Sequence, residues 1–421
     1  MRDEYDYVVA GAGPAGLSAA VELSANPQFR GLIMERGEIG KSSKAWADYA
    51  DKIKAAGLGN TILHVSKEIV QNSFLGTNIS ITSAYEGYAS LDDKLLLETL
   101  RRRINPAHCD VAEGCEFFAF RYDKNRVILT TSRGEMSTRL LIDATGYKSN
   151  GKRNDTKSPV VNTYKLQDNT FFLQTFSYVL KNSNVNQNLA VLMDVNIPTE
   201  YNSWFWIEPL GDRKVAKGAW VGAAYLLKEK EFYDWDTVRE DTKRYMRSKK
   251  MEGDIDSEKL GFIPSCNFQK SVFDNILLVG DSAAHAGAGM YFGLSLSMRN
   301  GLLAARVARE GLESGRLDEA FLSSYEKLCY DNSNKLNNLL GVIGEKIVSP
   351  ARYTDLEKIL KNFKNWDRDI IERRIRFELT KQDIKDIASR SQLGLALRLI
   401  PLRDYPALIK DVAKMLKEIY L

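Results

Sequence analysis

The hydrophobic pattern at the amino terminus predicts a buried strand followed directly by a helix. Residues 5–10 are a short β-branched and aromatic run, and residues 14–23 are rich in Ala and Leu at helical spacing. Gly11, Gly13 and Gly16 stand between them as GxGxxG. In such a unit the first glycine permits a tight turn, the second lets backbone approach a pyrophosphate, and the third lets the helix pack on the strand. The pattern therefore predicts a dinucleotide site.

The second strand ends in the acid that such a site needs. Glu35 closes the apolar run of residues 31–34 and lies 19 residues after Gly16, where an acceptor for a ribose hydroxyl is expected about 20 residues on. A glycine-rich turn without a ligand is the alternative interpretation. Strand, helix and acid together favour the dinucleotide site, and with it an α/β fold built on a Rossmann-like domain.

Two later segments place more small residues at the ends of predicted strands. Residues 140–142 lead into Asp143, Ala144, Thr145 and Gly146, and residues 276–279 lead into Gly280–Asp281, a Gly-rich bend and a helix from about residue 294. The first turn is small enough for a close cofactor approach. In the second, an acid can accept from a ribityl hydroxyl and the helix amino end can stabilise a negative reduced isoalloxazine; a plain helix cap is the alternative. The pattern favours FAD over a nicotinamide nucleotide.

The middle of the chain changes character. Residues 156–261 contain short aromatic and β-branched runs separated by polar clusters, which predict an antiparallel sheet, and residues 61–90 are expected to add strands to it. Alternation places Trp204, Trp206 and Glu208 on one face of a strand. We expect substrate to bind between this face and the flavin. An ordinary aromatic core strand is the alternative for the tryptophans.

Two titratable residues are candidates for proton chemistry. Glu208 beside aromatic residues would have a raised pKa and could act as proton donor or base, unless it is a solvated rim residue. His285 follows Asp281 by four residues and could hydrogen-bond flavin or substrate. The alternative role for His285 is to satisfy loop backbone.

Composition sets broad limits. The chain has 421 residues, of which 44% are hydrophobic and 27% charged, with a net charge of +4; this is typical of a globular protein and does not favour nucleic acid as a partner. The four cysteines and three histidines show no metal-ligand spacing, so no metal is expected. No apolar run approaches the roughly 20 residues of a membrane span, and the first residues are unlike a secretory signal, which predicts a cytoplasmic protein.

The carboxyl-terminal hundred residues predict helices, for example over residues 355–363, 370–379 and 407–420. The last of these has an apolar stripe with lysines beside it. Such a helix usually packs on its own protein, and the alternative is peripheral contact with a membrane surface.

The three cofactor motifs, in this order over the first 310 residues or so, resemble the glutathione-reductase-like flavoprotein superfamily. The resemblance is to the branch with para-hydroxybenzoate hydroxylase, geranylgeranyl reductases, lycopene cyclases and flavin-dependent halogenases. The flavin loop is most similar to that of geranylgeranyl reductases, which it matches without a gap at Gly280, Asp281, His285, Gly293, Asn300, Gly301, Ala304 and Ala305. Two departures lie beside the flavin: Ala288 replaces a proline, and Tyr291 and Phe292 replace glycines of the family's cluster.

A sharper departure concerns the chemistry. Where the reductases have a cysteine-bearing RCGEG, this chain reads Lys44, Ala45, Trp46, Ala47 and Asp48. The redox-associated cysteine is absent, so isoprenoid reduction is not carried over directly. The strand 204–209 is similar both to the YxWxFP strand of the reductases and to the WxWxIP signature of the halogenases. No segment matches the loop that precedes the halogenase lysine, and the hydroxylase DGxxSxxR is only loosely matched.

The resemblance implies an FAD-dependent oxidoreductase that acts on a hydrophobic substrate, such as the double bond of an isoprenoid or lipid. The alternatives are a flavin-dependent monooxygenase or halogenase, and a non-catalytic flavin-binding accessory protein. Because no second GxGxxG follows, we expect an external electron donor, either NAD(P)H or a redox protein. The expected layout is a discontinuous FAD-binding domain (residues 1–60, 91–155 and 262–320), a substrate-binding β-sheet domain (61–90 and 156–261) and a helical region (321–421).

The candidate site residues fall into three groups. The catalytic candidates are Glu208, His285 and Trp206. The expected substrate contacts are Trp204, Trp206, Tyr291 and Phe292. The expected cofactor contacts are Gly11, Ala12, Gly13, Pro14, Ala15, Gly16, Glu35, Arg36, Lys44, Phe117, Ala144, Thr145, Gly146, Gly280, Asp281, Gly293 and Leu294.

Overall fold

The architecture was obtained as a computed structural model. It describes residues 2–42, 44–73, 76–147, 158–166, 171–187, 191–195, 202–228, 231–264, 270–285, 293–332 and 367–389, with the isolated positions 341, 361, 406, 409, 410, 413 and 417.

The described residues form three sheets and the helices that cover them. The strands are β1 (Glu4–Ala10), β2 (Gly31–Glu35), β3 (Ala47–Tyr49), β4 (Ile62–Ser66), β5 (Glu68–Ser73), β6 (Asn78–Thr82), β7 (Tyr88–Leu91), β8 (Cys109–Glu113), β9 (Phe117–Asp123), β10 (Arg126–Thr131), β11 (Gly134–Asp143), β12 (Phe171–Lys181), β13 (Val191–Val195), β14 (Ser203–Gly211), β15 (Gly218–Lys228), β16 (Asp254–Pro264), β17 (Val272–Phe273) and β18 (Ile276–Leu278). The helices are α1 (Pro14–Ser24), α2 (Ala50–Ala55), α3 (Asp93–Arg102), α4 (Pro159–Thr163), α5 (Trp235–Ser248), α6 (Leu294–Ser314), α7 (Glu319–Leu322), α8 (Ser324–Asn332), α9 (Arg368–Ile375) and α10 (Lys381–Ser389), with 3-10 turns at Gly59–Thr61 and Gly280–Ala283.

The first sheet is the Rossmann-like sheet that the sequence predicted. Its strand order is β17-β18-β11-β1-β2-β8, and β10 and β9 extend it antiparallel from β11. β1 runs parallel to both β2 and β11, and β11 runs parallel to β18. Because helices cover one face and α4 with the β9–β10 hairpin covers the other, β1 is buried on both sides, as its continuous apolar run requires.

The second sheet has seven strands in the order β16-β12-β15-β14-β13-β5-β6. All neighbours are antiparallel except β13 and β5, which run parallel. The four predicted runs in residues 171–228 are strands β12 to β15. The helix α5, which the sequence analysis did not predict, covers the outer face, where Tyr245 and Val238 pack with Phe205 and Ile207 of β14.

A small third sheet, β3-β7-β4, separates the expected strands of residues 61–90 into two groups. β5 and β6 join the large sheet, as expected. β4 and β7 instead pair with each other and with β3, and this third sheet contacts β14 from the side opposite α5. Residues 61–90 thus add two strands to the large sheet, while β4 and β7 form a separate sheet because β7 pairs with β3, which follows β2 along the chain.

The helix α9 packs against β6 of the second sheet and against the segment of β3 and α2. Arg376, at its end, is 5% exposed, pairs with both carboxylate oxygens of Asp51 (3.0 and 2.8 Å) and stacks on the rings of Tyr49 and Tyr85. Buried Glu372 accepts from Ser83 Oγ and from the Ala84 N–H. We call this contact the α9 clasp. The predicted helix at residues 370–379 corresponds to α9, whereas those at 355–363 and 407–420 lie almost entirely outside the described residues.

None of the helices in the described ranges combines the length and the apolar character that crossing a lipid bilayer requires.

The clasp generates a stability prediction. Arg376→Ala leaves Asp51 without its cation and opens the aromatic contact, so we expect a loss of roughly 2 kcal/mol in the docking of α9. The measurement is limited proteolysis of the full chain with hydrogen exchange across residues 367–389. Arg368→Ala, an exposed position on the same helix, is the matched control. Equal protection in both variants would show that the clasp does not hold α9.

Candidate functional site

The first glycine turn has the steric character of a nucleotide cradle. Gly11 has a φ of +101°, and a Cβ there would lie 2.3 Å from Ala144 O. A Cβ at Gly16 would lie 2.1 Å from Gly11 O. A Cβ at Gly13, by contrast, would meet no protein atom within 4 Å. The space above Gly13 is thus open, as the approach of a pyrophosphate requires.

The amino end of α1 faces this open space with its first turn uncapped by any side chain. Gly13 caps the helix with no side-chain hydrogen bond, Pro14 follows it, and the first turn holds no acidic residue. The N–H groups at such an end, together with the helix dipole, form a site for a phosphate. The residues present therefore fit the pyrophosphate of FAD.

Glu35 lies where the ribose acceptor was predicted. Its Oε2 accepts from the Ala12 N–H (2.9 Å) and its Oε1 from the Gly37 N–H (3.2 Å), which ties the end of β2 to the glycine turn. A carboxylate has more acceptor positions than these two bonds use, so it can also accept from a ribose hydroxyl. Arg36, next along the chain, is exposed.

Asp143 fixes the conformation of the second turn, residues 144–146, through hydrogen bonds. It is fully buried and accepts from the Thr145 N–H (3.0 Å), Thr145 Oγ1 (2.7 Å) and Ser158 Oγ (2.7 Å), while burial raises its pKa. The Gly146 N–H donates to Ser282 Oγ (3.1 Å), which joins this turn to the one after β18. The two turns predicted to contact the cofactor are thus adjacent.

Lys44 and Asp281, both predicted cofactor contacts, form an ion pair with each other. Lys44 Nζ also lies 3.5 Å from Phe262 O on β16. The pair joins the Gly280–Ala283 turn to β16, so it lies at the boundary between the Rossmann-like sheet and the seven-stranded sheet. Sequence spacing did not indicate this pairing.

The tryptophan face of β14 is turned toward that boundary. Trp204 and Trp206 are half-buried and pack with Leu173 and Leu226, while Phe205 and Ile207 point to the opposite core under α5. A Cβ at Gly222 of β15 would lie 2.2 Å from Trp206 Cζ2. Gly222 therefore makes room for the indole of Trp206. The signal for this role in the sequence is the run of small residues on β15 to which Gly222 belongs.

Glu208, on the same face, is a buried carboxyl and not a rim residue. It is 3% exposed, and burial raises its pKa to about 7. Its Oε1 is hydrogen-bonded to Ser90 Oγ, which also lies 3.2 Å from Pro209 O. Ser90 Oγ donates to the Glu208 carboxylate, and this hydrogen bond partly opposes the rise in pKa that burial causes. Ser90 was not among the predicted site residues, because it belongs to a strand 118 residues away.

Other candidates lie apart from this face or outside the described residues. His285 is buried against Tyr325 of α8 with ring centroids 6.0 Å apart, and burial lowers its pKa to about 4. It is thus neutral at pH 7, and its buried Nδ1 has no hydrogen-bond partner among the described residues. Phe117 packs in the core under β1, and Leu294 is buried at the start of α6. Tyr291 and Phe292 lie outside the described residues.

Comparison with known proteins places this geometry in context. Residues 8–176 match the family described as pyridine nucleotide-disulphide oxidoreductase. A digeranylgeranylglycerophospholipid reductase of Methanococcus vannielii is 24% identical over 77% of this chain and 82% of its own length. A second reductase of the same name, from Methanopyrus kandleri, is 24% identical over 92% and 96%.

Solved structures show the same fold over nearly the whole chain. A geranylgeranyl bacteriochlorophyll reductase-like protein of Thermoplasma acidophilum has a TM-score of 0.71 at 17% identity, covering 98% of this chain and 99% of its own. The halogenase PltM in complex with phloroglucinol and FAD has a TM-score of 0.61 at 10% identity, covering 98% and 96%.

These similarities confirm four predictions: the flavoprotein resemblance, the mixed α/β fold with a Rossmann-like sheet, the FAD-dependent oxidoreductase class and FAD as cofactor. The alternative of a non-catalytic accessory protein is not favoured. The assignment of individual site residues remains a prediction from the geometry above.

The glycine turn provides a test of the cofactor site. Gly13→Ala adds a methyl group that clashes with no protein atom but occupies the expected path of the pyrophosphate, so we expect a folded protein with at least about tenfold weaker FAD binding. Flavin content per chain and circular dichroism measure the two effects. Gly59→Ala, at a turn remote from the cradle whose Cβ would only press on the flexible Lys54 side chain, is the control. Full flavin content in Gly13→Ala would contradict the assignment.

Proposed function

We propose that this FAD-dependent oxidoreductase, which shares the fold and motifs of geranylgeranyl reductases, saturates carbon–carbon double bonds in a hydrophobic, isoprenoid-type lipid. The observation that carries the proposal is the face of β14. Trp204 and Trp206 offer a half-buried apolar surface, and Glu208 follows them as a buried acid with a pKa of about 7. The names of the archaeal relatives support a lipid with isoprenoid chains as the substrate class.

Each part of the face has a separate task. The two indole rings and the leucines beside them bind a long apolar chain and exclude water from it, because such a surface gains free energy when an apolar ligand covers it. Saturation of a double bond takes a hydride and a proton, and reduced FAD, when bound, would supply the hydride and be oxidised to FAD. The protein supplies a proton from Glu208, which is largely protonated below pH 7 and is held in place by Ser90.

In this proposal the Rossmann-like sheet and its turns hold the cofactor, on the side of the boundary opposite the tryptophan face of β14. The amino end of α1 binds the pyrophosphate and Glu35 the ribose, while Lys44 and Asp281 lie at the ribityl and ring end. The turn at Ala144–Gly146 supports the cofactor from beneath. The electron donor is an external NAD(P)H or redox protein in this proposal.

A halogenase or monooxygenase is the second candidate. The paired tryptophans and the fold of PltM favour it, but Lys44 is ion-paired to Asp281 and no other lysine stands in a halogenase-like loop. Reduced protein with an isoprenoid lipid in the absence of air should yield a product heavier by two hydrogens per double bond. A product formed only with oxygen, carrying an added oxygen or halogen, would establish the second candidate instead.

Glu208 generates a pH prediction. Because the protonated acid is the active form, the turnover rate of the wild type should fall as pH rises through about 7. Glu208→Gln should lose about 10²-fold in kcat and show no such fall. Ser90→Ala removes a hydrogen bond that lowers the pKa of Glu208. In this variant the decrease in turnover rate should therefore occur at higher pH.

The result that opposes this role is a pH profile near 7 that is identical in the wild type and in Glu208→Gln. Flavin content and thermal stability, measured on all three proteins, separate loss of chemistry from loss of folding.

A lipid substrate extends the proposal to the membrane surface. Residues 391–421 are mostly outside the described residues, but Ile409 is 62% exposed, which is consistent with an apolar stripe that could face lipid. We expect the full chain to co-sediment with anionic liposomes and a chain without residues 391–421 to do so weakly. Equal sedimentation of both would remove this part of the proposal.

A further inference from the structure

Two helices have their amino ends beside the turns of the proposed cofactor site, and only α6 has a carboxylate bonded to an N–H of its first turn. The end of α1 has no capping side chain and no acid in its first turn. The end of α6, a helix of 21 residues beside the Gly280–Ala283 turn, is already bonded to a carboxylate. Asp48 Oδ2 accepts from the Ser295 N–H at 2.9 Å, one residue into the helix.

The Asp48 carboxylate is fixed in place by backbone hydrogen bonds, and the one lysine that interacts electrostatically with it among the described residues, Lys52, forms no close ion pair with it. The residue is 6% exposed, and its Oδ1 accepts from the Tyr49 N–H at 2.8 Å. Backbone pairing of Asp48 with Ala89 holds β3 against β7. Among the described residues no Lys or Arg side chain forms an ion pair with Asp48, in contrast to Asp281 with Lys44.

Asp48 also comes from the segment in which this chain departs from the reductases. It follows Trp46 and Ala47, in the stretch that reads Lys44 to Asp48 where the reductases have RCGEG. The residue aligned with Asp48 in that motif is glycine, so the carboxylate is a feature of this chain and not of the resemblance.

The carboxylate changes what the helix end can do. An uncapped amino end carries roughly half a positive charge and stabilises a neighbouring anion. Asp48 opposes that charge and makes the end of α6 less favourable for a second anion than an uncapped end would be. The sequence analysis expected this end to stabilise negative charge on reduced flavin, and the structure shows that a protein anion already occupies it.

We propose that Asp48 lowers the reduction potential of the bound FAD, so that the reduced cofactor is a stronger electron donor than an uncapped α6 would make it. The electron-rich reduced form is destabilised by a nearby negative charge more than the neutral oxidised form is. Asp48 acts on the cofactor through the field and requires no contact with substrate. The inference rests on FAD binding but not on the lipid substrate. The midpoint potential is measured without substrate, so its result is independent of the result for the reductase activity.

The test measures the midpoint potential of bound FAD in the holoenzyme by equilibration with a reference dye. Asp48→Asn keeps an oxygen that can cap Ser295 but removes the charge, so the potential should become more positive. At a fixed solution potential we expect the ratio of reduced to oxidised flavin to increase about tenfold, which for a two-electron couple corresponds to a shift of roughly 30 mV. Asp48→Glu keeps the charge and should retain most of the low potential.

The controls separate electrostatics from capping. Glu86→Gln removes an exposed acid near α2 and should leave the potential unchanged. Asp48→Ser replaces the carboxylate by a neutral residue that is also a strong cap; it should shift the potential as Asp48→Asn does, and it serves if the asparagine variant does not fold. A potential equal to that of the wild type in a folded, FAD-loaded neutral variant would overturn the proposal and leave Asp48 as a helix cap.

Discussion

The architecture depends on a place where four elements, β1, β11, α1 and α6, approach each other through their backbones. Gly11 at the end of β1 lies against Ala144 O, Gly16 of α1 lies against Gly11 O, and a Cβ at Gly301 of α6 would lie 2.2 Å from Ala15 O. Any side chain at these glycines would separate α1 from β11 or from α6. Because the cofactor site is built from the ends of these same elements, close packing and cofactor binding have one origin.

A second constraint joins the sheet that carries the tryptophan face to this core. Lys259 of β16 and Lys214 of the β14–β15 turn both pair with buried Asp93 at the start of α3. Lys44 and Asp281 add a third ion pair across the same boundary. At least one member of each pair is well buried or half-buried. These contacts therefore fix the distance between the seven-stranded sheet and the cofactor turns more firmly than exposed ion pairs would.

The sequence predicted what depends on short spacing. β1, α1 and the Glu35 acceptor position follow from a pattern within about 30 residues, and the alternation of Trp204 and Glu208 follows from the two-residue period of a strand. The helix α5 was missed although a signal was present, since Asp234 caps it and accepts from the Asp236 and Thr237 N–H groups. The helical periodicity of residues 235–248 lies inside a strand-rich region, and the strand patterns on both sides of it masked the helix.

What could not be predicted are the contacts between distant segments. Ser90 meets Glu208, and Lys44 meets Asp281 across 237 residues; no local pattern encodes either pairing, because each arises only when two independently formed units pack together. The division of β4 to β7 between two sheets has the same cause. Asp48 illustrates the point further, since its sequence neighbours suggest an ordinary strand residue and only the fold brings it to the end of α6.

The most direct test of this account is an experimental structure of the chain with FAD. The account predicts the pyrophosphate above Gly13 at the amino end of α1 and the isoalloxazine beside the Lys44–Asp281 pair, with one face turned toward Trp206. FAD bound elsewhere, or a ring separated from the tryptophan face by packed protein, would contradict it.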